Sequence, residues 1–92
     1  MKVKWRHNRL RQIELENLII CGELFQEDGS SQWRYNLWLY HVPKSVESAE
    51  LSFAYRTKGE ARKAATDRVK QLIEANTPTW IVLSFVTPNH VE

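Results

Sequence analysis

At Thr57 the chain changes its hydrophobic period, and that change limits the fold more than any other feature of the sequence. Before it, apolar and polar residues alternate. After it, Ala61, Ala64, Ala65, Val69, Leu72 and Ile73 recur at spacings of three and four, which lines one side of a helix. Thr57 and Glu60 open the segment with the S/T-x-x-E pattern, in which the hydroxyl caps the Glu60 amide and the carboxylate reaches back. Asn76 and Pro78 close it, so the spacing predicts one helix over residues 58–75. The small alanines in its first half suit a helix that sits close to a sheet.

The residues ahead of Thr57 supply that sheet. LIICGELF (18–25) and WRYNLWLYHV (33–42) are rich in β-branched and aromatic residues, and the turn-forming QEDGSSQ lies between them. In the second strand Trp33, Tyr35, Leu37 and Leu39 share one face, which reads as core, and Arg34, Asn36, Trp38 and Tyr40 share the other. Both faces carry rings, so alternation leaves open which one the helix covers. PKSVESA (43–49) reads as a polar connection. ELSFAYR (50–56) reads as the next strand, with Leu51, Phe53 and Tyr55 on one face. TWIVLSFV (79–86) is almost wholly apolar and reads as a strand covered on both sides. VKW (3–5) is a candidate short edge strand, and IELEN (13–17) a candidate extension of the first hairpin strand, with a bulge near Asn17. The order β-β-β-α-β implies an α+β fold, a two-layer sandwich with a mostly antiparallel sheet and one helix packed across it.

The chain of 92 residues is the length of a single domain, 1–92. Its one cysteine, Cys21, excludes an internal disulfide and points to a reducing compartment. Cys21 sits in an apolar strand and is expected to behave as a buried small hydrophobe. No apolar run approaches the roughly 20 residues that span a bilayer, and MKVKWRHNRLRQ lacks the apolar stretch of a secretory signal. The expectation is a cytoplasmic protein with no membrane partner.

Net charge is +2, but it is distributed in blocks. Lys2, Lys4, Arg6, Arg9 and Arg11 give residues 1–12 a charge of +5 with no acid. Residues 13–50 carry seven acids against Arg34 and Lys44, and residues 51–76 return to +3. Residues 1–11 are a candidate flexible basic arm, and Arg56, Lys58, Arg62 and Lys63 form a second cluster at the helix start. Such cations neutralise phosphates and release counterions. Arg34, Trp38 and Tyr40 add rings beside a guanidinium, which suits base stacking or a protein interface.

Nothing in the sequence assembles a catalytic or metal site. His7, His41 and His90 are widely separated, and Gly22, Gly29 and Gly59 make no phosphate-binding loop. No enzyme activity and no cofactor are expected.

The run from Leu51 to Ala65, with Phe53, Thr57, Glu60 and Ala61, resembles plant AP2-type domains and the arm-binding domains of phage-type integrases, in which a three-stranded sheet precedes a helix. Lys58, Glu60, Ala61, Ala64 and Ala65 are similar to the K-x-E-A-x-x-A-A pattern in the last helix of double-stranded RNA-binding domains. The resemblance covers about half the chain. It implies phosphate-gripping roles for Lys58, Arg62 and Lys63. The chain departs from these families in having no helix ahead of the sheet and an additional final strand.

Two functions follow as expectations. One is a small non-enzymatic module that binds DNA or RNA through the basic segment and helix start. The other is a protein-interaction module, a homodimer or accessory subunit, using Trp38, Tyr40, Trp80 and Phe85.

Overall fold

A computed structural model describes residues 2–42 and 45–76. Among these residues five strands form one sheet in chain order: β1 (Trp5–Arg6), β2 (Arg9–Glu14), β3 (Leu18–Gln26), β4 (Trp33–His41) and β5 (Val46–Leu51). Each pairs antiparallel with its sequence neighbour, as short connections favour. One helix, α1 (Lys58–Ala75), lies across β4 and β3. This is the expected two-layer α+β sandwich with a mostly antiparallel sheet. The 79–86 segment, with Trp80 and Phe85, lies outside the described residues.

The helix covers the face of Trp33, Tyr35, Leu37 and Leu39, which settles the choice of face that alternation leaves open. Leu18, Ile20 and Leu24 of β3, Leu37 and Leu39 of β4, and Leu10 and Ile13 of β2 are buried against Ala61, Ala65, Val69 and Leu72. Gly22 is the close approach in this layer. A Cβ there would stand 2.7 Å from Leu37 Cδ2 and 3.4 Å from Leu10 Cβ. The capping box forms as expected. Glu60 N–H donates to Thr57 Oγ1 at 3.1 Å, and Thr57 N–H donates to Glu60 Oε1 at 3.1 Å. At the other end Asn76 turns its Nδ2 back onto the Leu72 carbonyl at 2.8 Å.

Several local expectations are corrected. The basic segment is no loose arm: residues 5–6 and 9–11 are paired strands, and Arg11 N–H donates to the Lys4 carbonyl at 2.8 Å. The turn between them places His7 at a φ of 55°. Residues 13–14 end β2 rather than extending β3, and the bulge lies between Leu10 and Ile13, not near Asn17. It lets Leu10 and Ile13, three residues apart, both reach the core.

The strand expected at 50–56 begins earlier, so the polar VESA belongs to β5, an edge strand with little apolar cover to advertise it. After Leu51 a second irregularity changes the phase. Three steps along β4, from Asn36 to Trp33, match four along the partner, from Leu51 to Tyr55. Ser52 occupies the break: its N–H donates to the Tyr35 carbonyl at 2.9 Å, and its hydroxyl accepts from Tyr35 N–H at 2.9 Å. Leu51 and Tyr55 therefore do not share a face. Leu51 faces away from the helix, while Tyr55 packs against the Leu24, Ala61 and Ala65 cluster. Phe53, between them, is 85% exposed.

Candidate functional site

The helix leaves one sheet face without a covering layer among the described residues. Pairing fixes which side chains share that open face. One row runs Arg6, Arg9, Glu23, Asn36, Leu51 from β1 to β5. The next runs from Lys4 through the bulge residues Arg11 and Gln12 to Cys21, Trp38 and Ala49. A third contains Glu14, Ile19, Tyr40 and Glu47.

Val3 and Trp5 pack against the core, so alternation turns Lys2, Lys4 and Arg6 the other way. Arg9 and Arg11 flank the buried Leu10 and join them. Five cations thus lie on one side of the N-terminal hairpin, all of them exposed. Lys2, Lys4 and Arg11 line a shallow depression of about 290 Å³ with Gln12 and Glu14. Among the described residues none of the five makes an ion pair. Arg6 sits directly opposite Arg9, a like-charge pairing that works against the hairpin.

At the centre of the open face Trp38 and Tyr40 are half-buried and line a depression of about 430 Å³ with Glu47, Ser48 and Ala49. The Tyr40 hydroxyl is pushed above its usual range, by burial first and then by the Glu47 charge. Cys21 pairs with Trp38 across the strands and is half-buried, less enclosed than its apolar strand suggests. Burial pushes its thiol up, and Sγ donates to Gln12 Oε1 at 3.5 Å. Arg34 is committed to Glu27, its ion-pair partner, and its Nε is buried without a partner.

The helix-start cations belong to the other layer. Lys58 Nζ stands 5.5 Å over the Trp33 ring, Lys63 pairs with Asp67 at 3.4 Å, and Arg56 and Arg62 are exposed. Arg62 lies one turn before Thr66, whose hydroxyl accepts the Trp5 indole N–H, so Arg62 stands on the flank above β1. The opposite flank is tied to β5, where Arg68 grips Glu50 with two bonds of 2.7 Å.

Of the candidates read from the sequence, the fold therefore gathers Lys2, Lys4, Arg6, Arg9, Arg11, Trp38 and Tyr40 on one face. Arg34 shares that face but is occupied. Arg56, Lys58, Arg62 and Lys63 stand apart on the helical layer. Sequence reasoning missed Gln12 and Cys21, which bridge cations to rings. The only signal for them was the bulge, and a bulge within RLRQIE has no residue signature. Among the described residues no group of His, Cys, Asp and Glu is placed to hold a metal ion, and no helix is long and apolar enough to cross a membrane. Comparison of the chain with protein-family models, with curated proteins and with solved structures finds no match in any of the three, so a functional reading rests on this geometry alone.

Proposed function

We propose that the protein is a small nucleic-acid-binding module whose N-terminal hairpin holds phosphates. The observation that carries this reading is the cationic face of β1 and β2, whose cations make no ion pair among the described residues, above all Arg6 opposite Arg9. Two guanidinium groups directly across a strand pair repel each other, and a shared anion converts that repulsion into attraction. Lys4, Arg11 and Lys2 extend the same field along the hairpin. Arg62, above β1, adds to it from the helical layer.

The test is fluorescence anisotropy of labelled DNA and RNA 20-mers, single- and double-stranded, at about 50 and 200 mM salt. Five phosphate contacts predict a loss of roughly 100- to 500-fold in affinity between those salts. Arg6→Glu with Arg9→Glu should abolish binding. Arg62→Glu with Lys63→Glu should weaken it only modestly. Binding that survives the hairpin reversal and fails with the helix reversal would move the surface to the helix start. No binding at low salt would end the reading.

A protein-interaction role is favoured by a separate observation. Leu51 and Phe53 are 57% and 85% exposed beside the open face, apolar area that a partner surface would take out of water. A homodimer would cover them. Sedimentation equilibrium of the wild type and of Phe53→Ser decides it: a dimer that dissociates in the variant supports this role, and a monomer throughout removes it.

A further inference from the structure

We infer that the ligand of the open sheet face is a single-stranded nucleic acid, crossing the sheet along the row from Lys4 through Arg11, Gln12 and Cys21 to Trp38. The inference rests on the nucleic-acid reading above and adds the form of the ligand and its path.

Ring spacing argues for single strands. Trp38 and Tyr40 are two residues apart on one strand face, so their points of attachment to the backbone stand about 6.6 to 6.8 Å apart. Bases stacked in a duplex rise about 3.4 Å each. The attachment spacing is twice that, so rings standing side by side from these points each take one base only if the two bases are unstacked from each other. A duplex keeps its base faces occupied and leaves these rings nothing to stack on. A single strand offers every base face.

Charge selects the path. The row through Arg6 and Arg9 meets Glu23 on β3, and the row through Tyr40 has Glu14 at one side and Glu47 at the other. Among the described residues, only the row between them runs from cations to a ring with no acid in it, through Gln12 and Cys21. From β1 to β4 is three strand spacings, about 14 Å. Phosphates held over β1 and β2 thus lie a few nucleotides from bases stacked on β4. Glu47, on the far wall of the Trp38 depression, repels phosphate and turns the backbone toward the basic side.

The experiment compares a labelled single-stranded 12-mer with a hairpin duplex of the same sequence, as DNA and as RNA, at about 50 mM salt. The proteins are the wild type, Trp38→Ala, Cys21→Glu and the Arg6→Glu, Arg9→Glu pair, each checked for folding by thermal melting. The single strand should bind at least tenfold more tightly than the duplex. Trp38→Ala should cost it about 5- to 150-fold, the range for one lost base stack, and leave duplex binding nearly unchanged. Cys21→Glu should weaken the single strand by placing an acid on the path. If Trp38→Ala does not fold, Tyr40→Ala is read in its place.

Duplex binding as tight as single-strand binding would overturn the inference while the phosphate-holding hairpin stands. So would single-strand binding that both Trp38→Ala and Cys21→Glu leave intact. Absence of binding to every probe would overturn both.

Discussion

Trp5 donates its indole N–H to Thr66 Oγ1 at 2.9 Å, joining positions 61 residues apart. The bond ties the first strand of the basic hairpin to the middle of the helix, and the Trp5 ring packs beside Leu24, Ala61 and Ala65. In a two-residue strand whose Arg6 opposes Arg9 of β2, this bond adds to the packing of Val3 and Trp5 in holding the hairpin down. Thr66→Val should lower unfolding free energy by about 1 kcal/mol, the net value of one part-buried hydrogen bond. Amide exchange at Arg11, whose N–H bonds the Lys4 carbonyl, should speed up in the same variant. Unchanged exchange there would mean that the ring packing, not the bond, holds the hairpin down.

Two glycines should respond to alanine in opposite directions. At Gly22 the new Cβ meets Leu37, which is fully buried and has nowhere to move, so Gly22→Ala should cost about 1 to 3 kcal/mol. At Gly59, in the first turn of α1, the nearest atom is Thr57 Oγ1 at 3.9 Å. Gly59→Ala should stabilise by up to about 1 kcal/mol, chiefly by restricting the unfolded chain. Urea unfolding of both variants checks the pair, and a gain at Gly22 would contradict the packing described.

The capping box places a local demand on Thr57. Thr57→Ala removes the acceptor for Glu60 N–H and strands the reciprocal bond, so it should cost about 0.5 to 2 kcal/mol. Thr57→Ser keeps the hydroxyl and should recover most of that loss. If serine fares no better than alanine in thermal unfolding, the cap contributes through something other than its oxygen.

The Arg68–Glu50 bridge should make stability depend on pH. The hydrogen bonds from Arg68 hold the Glu50 carboxyl below its ordinary value of 4.5, against a smaller opposing effect of burial. Folding therefore favours the ionised form. The contribution is complete above 4.5 and fades as the pH falls through the lower folded value. Glu50→Gln should lose roughly 0.5 to 1 kcal/mol at neutral pH, in keeping with a pair still partly open to water. Its difference from the wild type should shrink in urea titrations run progressively below pH 4.5. A difference independent of pH would assign the effect to packing of the Arg68 stem.

Residue pattern and structure agree most where the pattern is local. Thr57, Glu60, the alanine stripe and Asn76 mark out a helix over about 58–75, and α1 forms there, because a helix satisfies its own hydrogen bonds and its caps lie within a turn. They diverge at β5. Ser48, Glu47 and Ala49 look like a connection, yet they pair with β4 because an edge strand needs a partner's backbone more than it needs apolar side chains. Leu51, Phe53 and Tyr55 alternate perfectly and still part company. One extra residue at the Ser52 break flips every later side chain to the other face.

The candidate site follows the same division. That the chain has a cationic N-terminus, a ring-bearing strand and a capped helix is written in the order of its residues, since charge, ring and period are properties of single positions and near neighbours. That Lys4, Arg11, Cys21 and Trp38 form one row, while Lys58 and Lys63 face elsewhere, was decided only by tertiary structure. Register between strands depends on backbone pairing summed over the whole sheet and on bulges that carry no residue signature. So does the choice of sheet face, which Gly22, Leu37 and the small Ala61 and Ala65 settle by shape, because only that face lets the helix approach closely enough to exclude water.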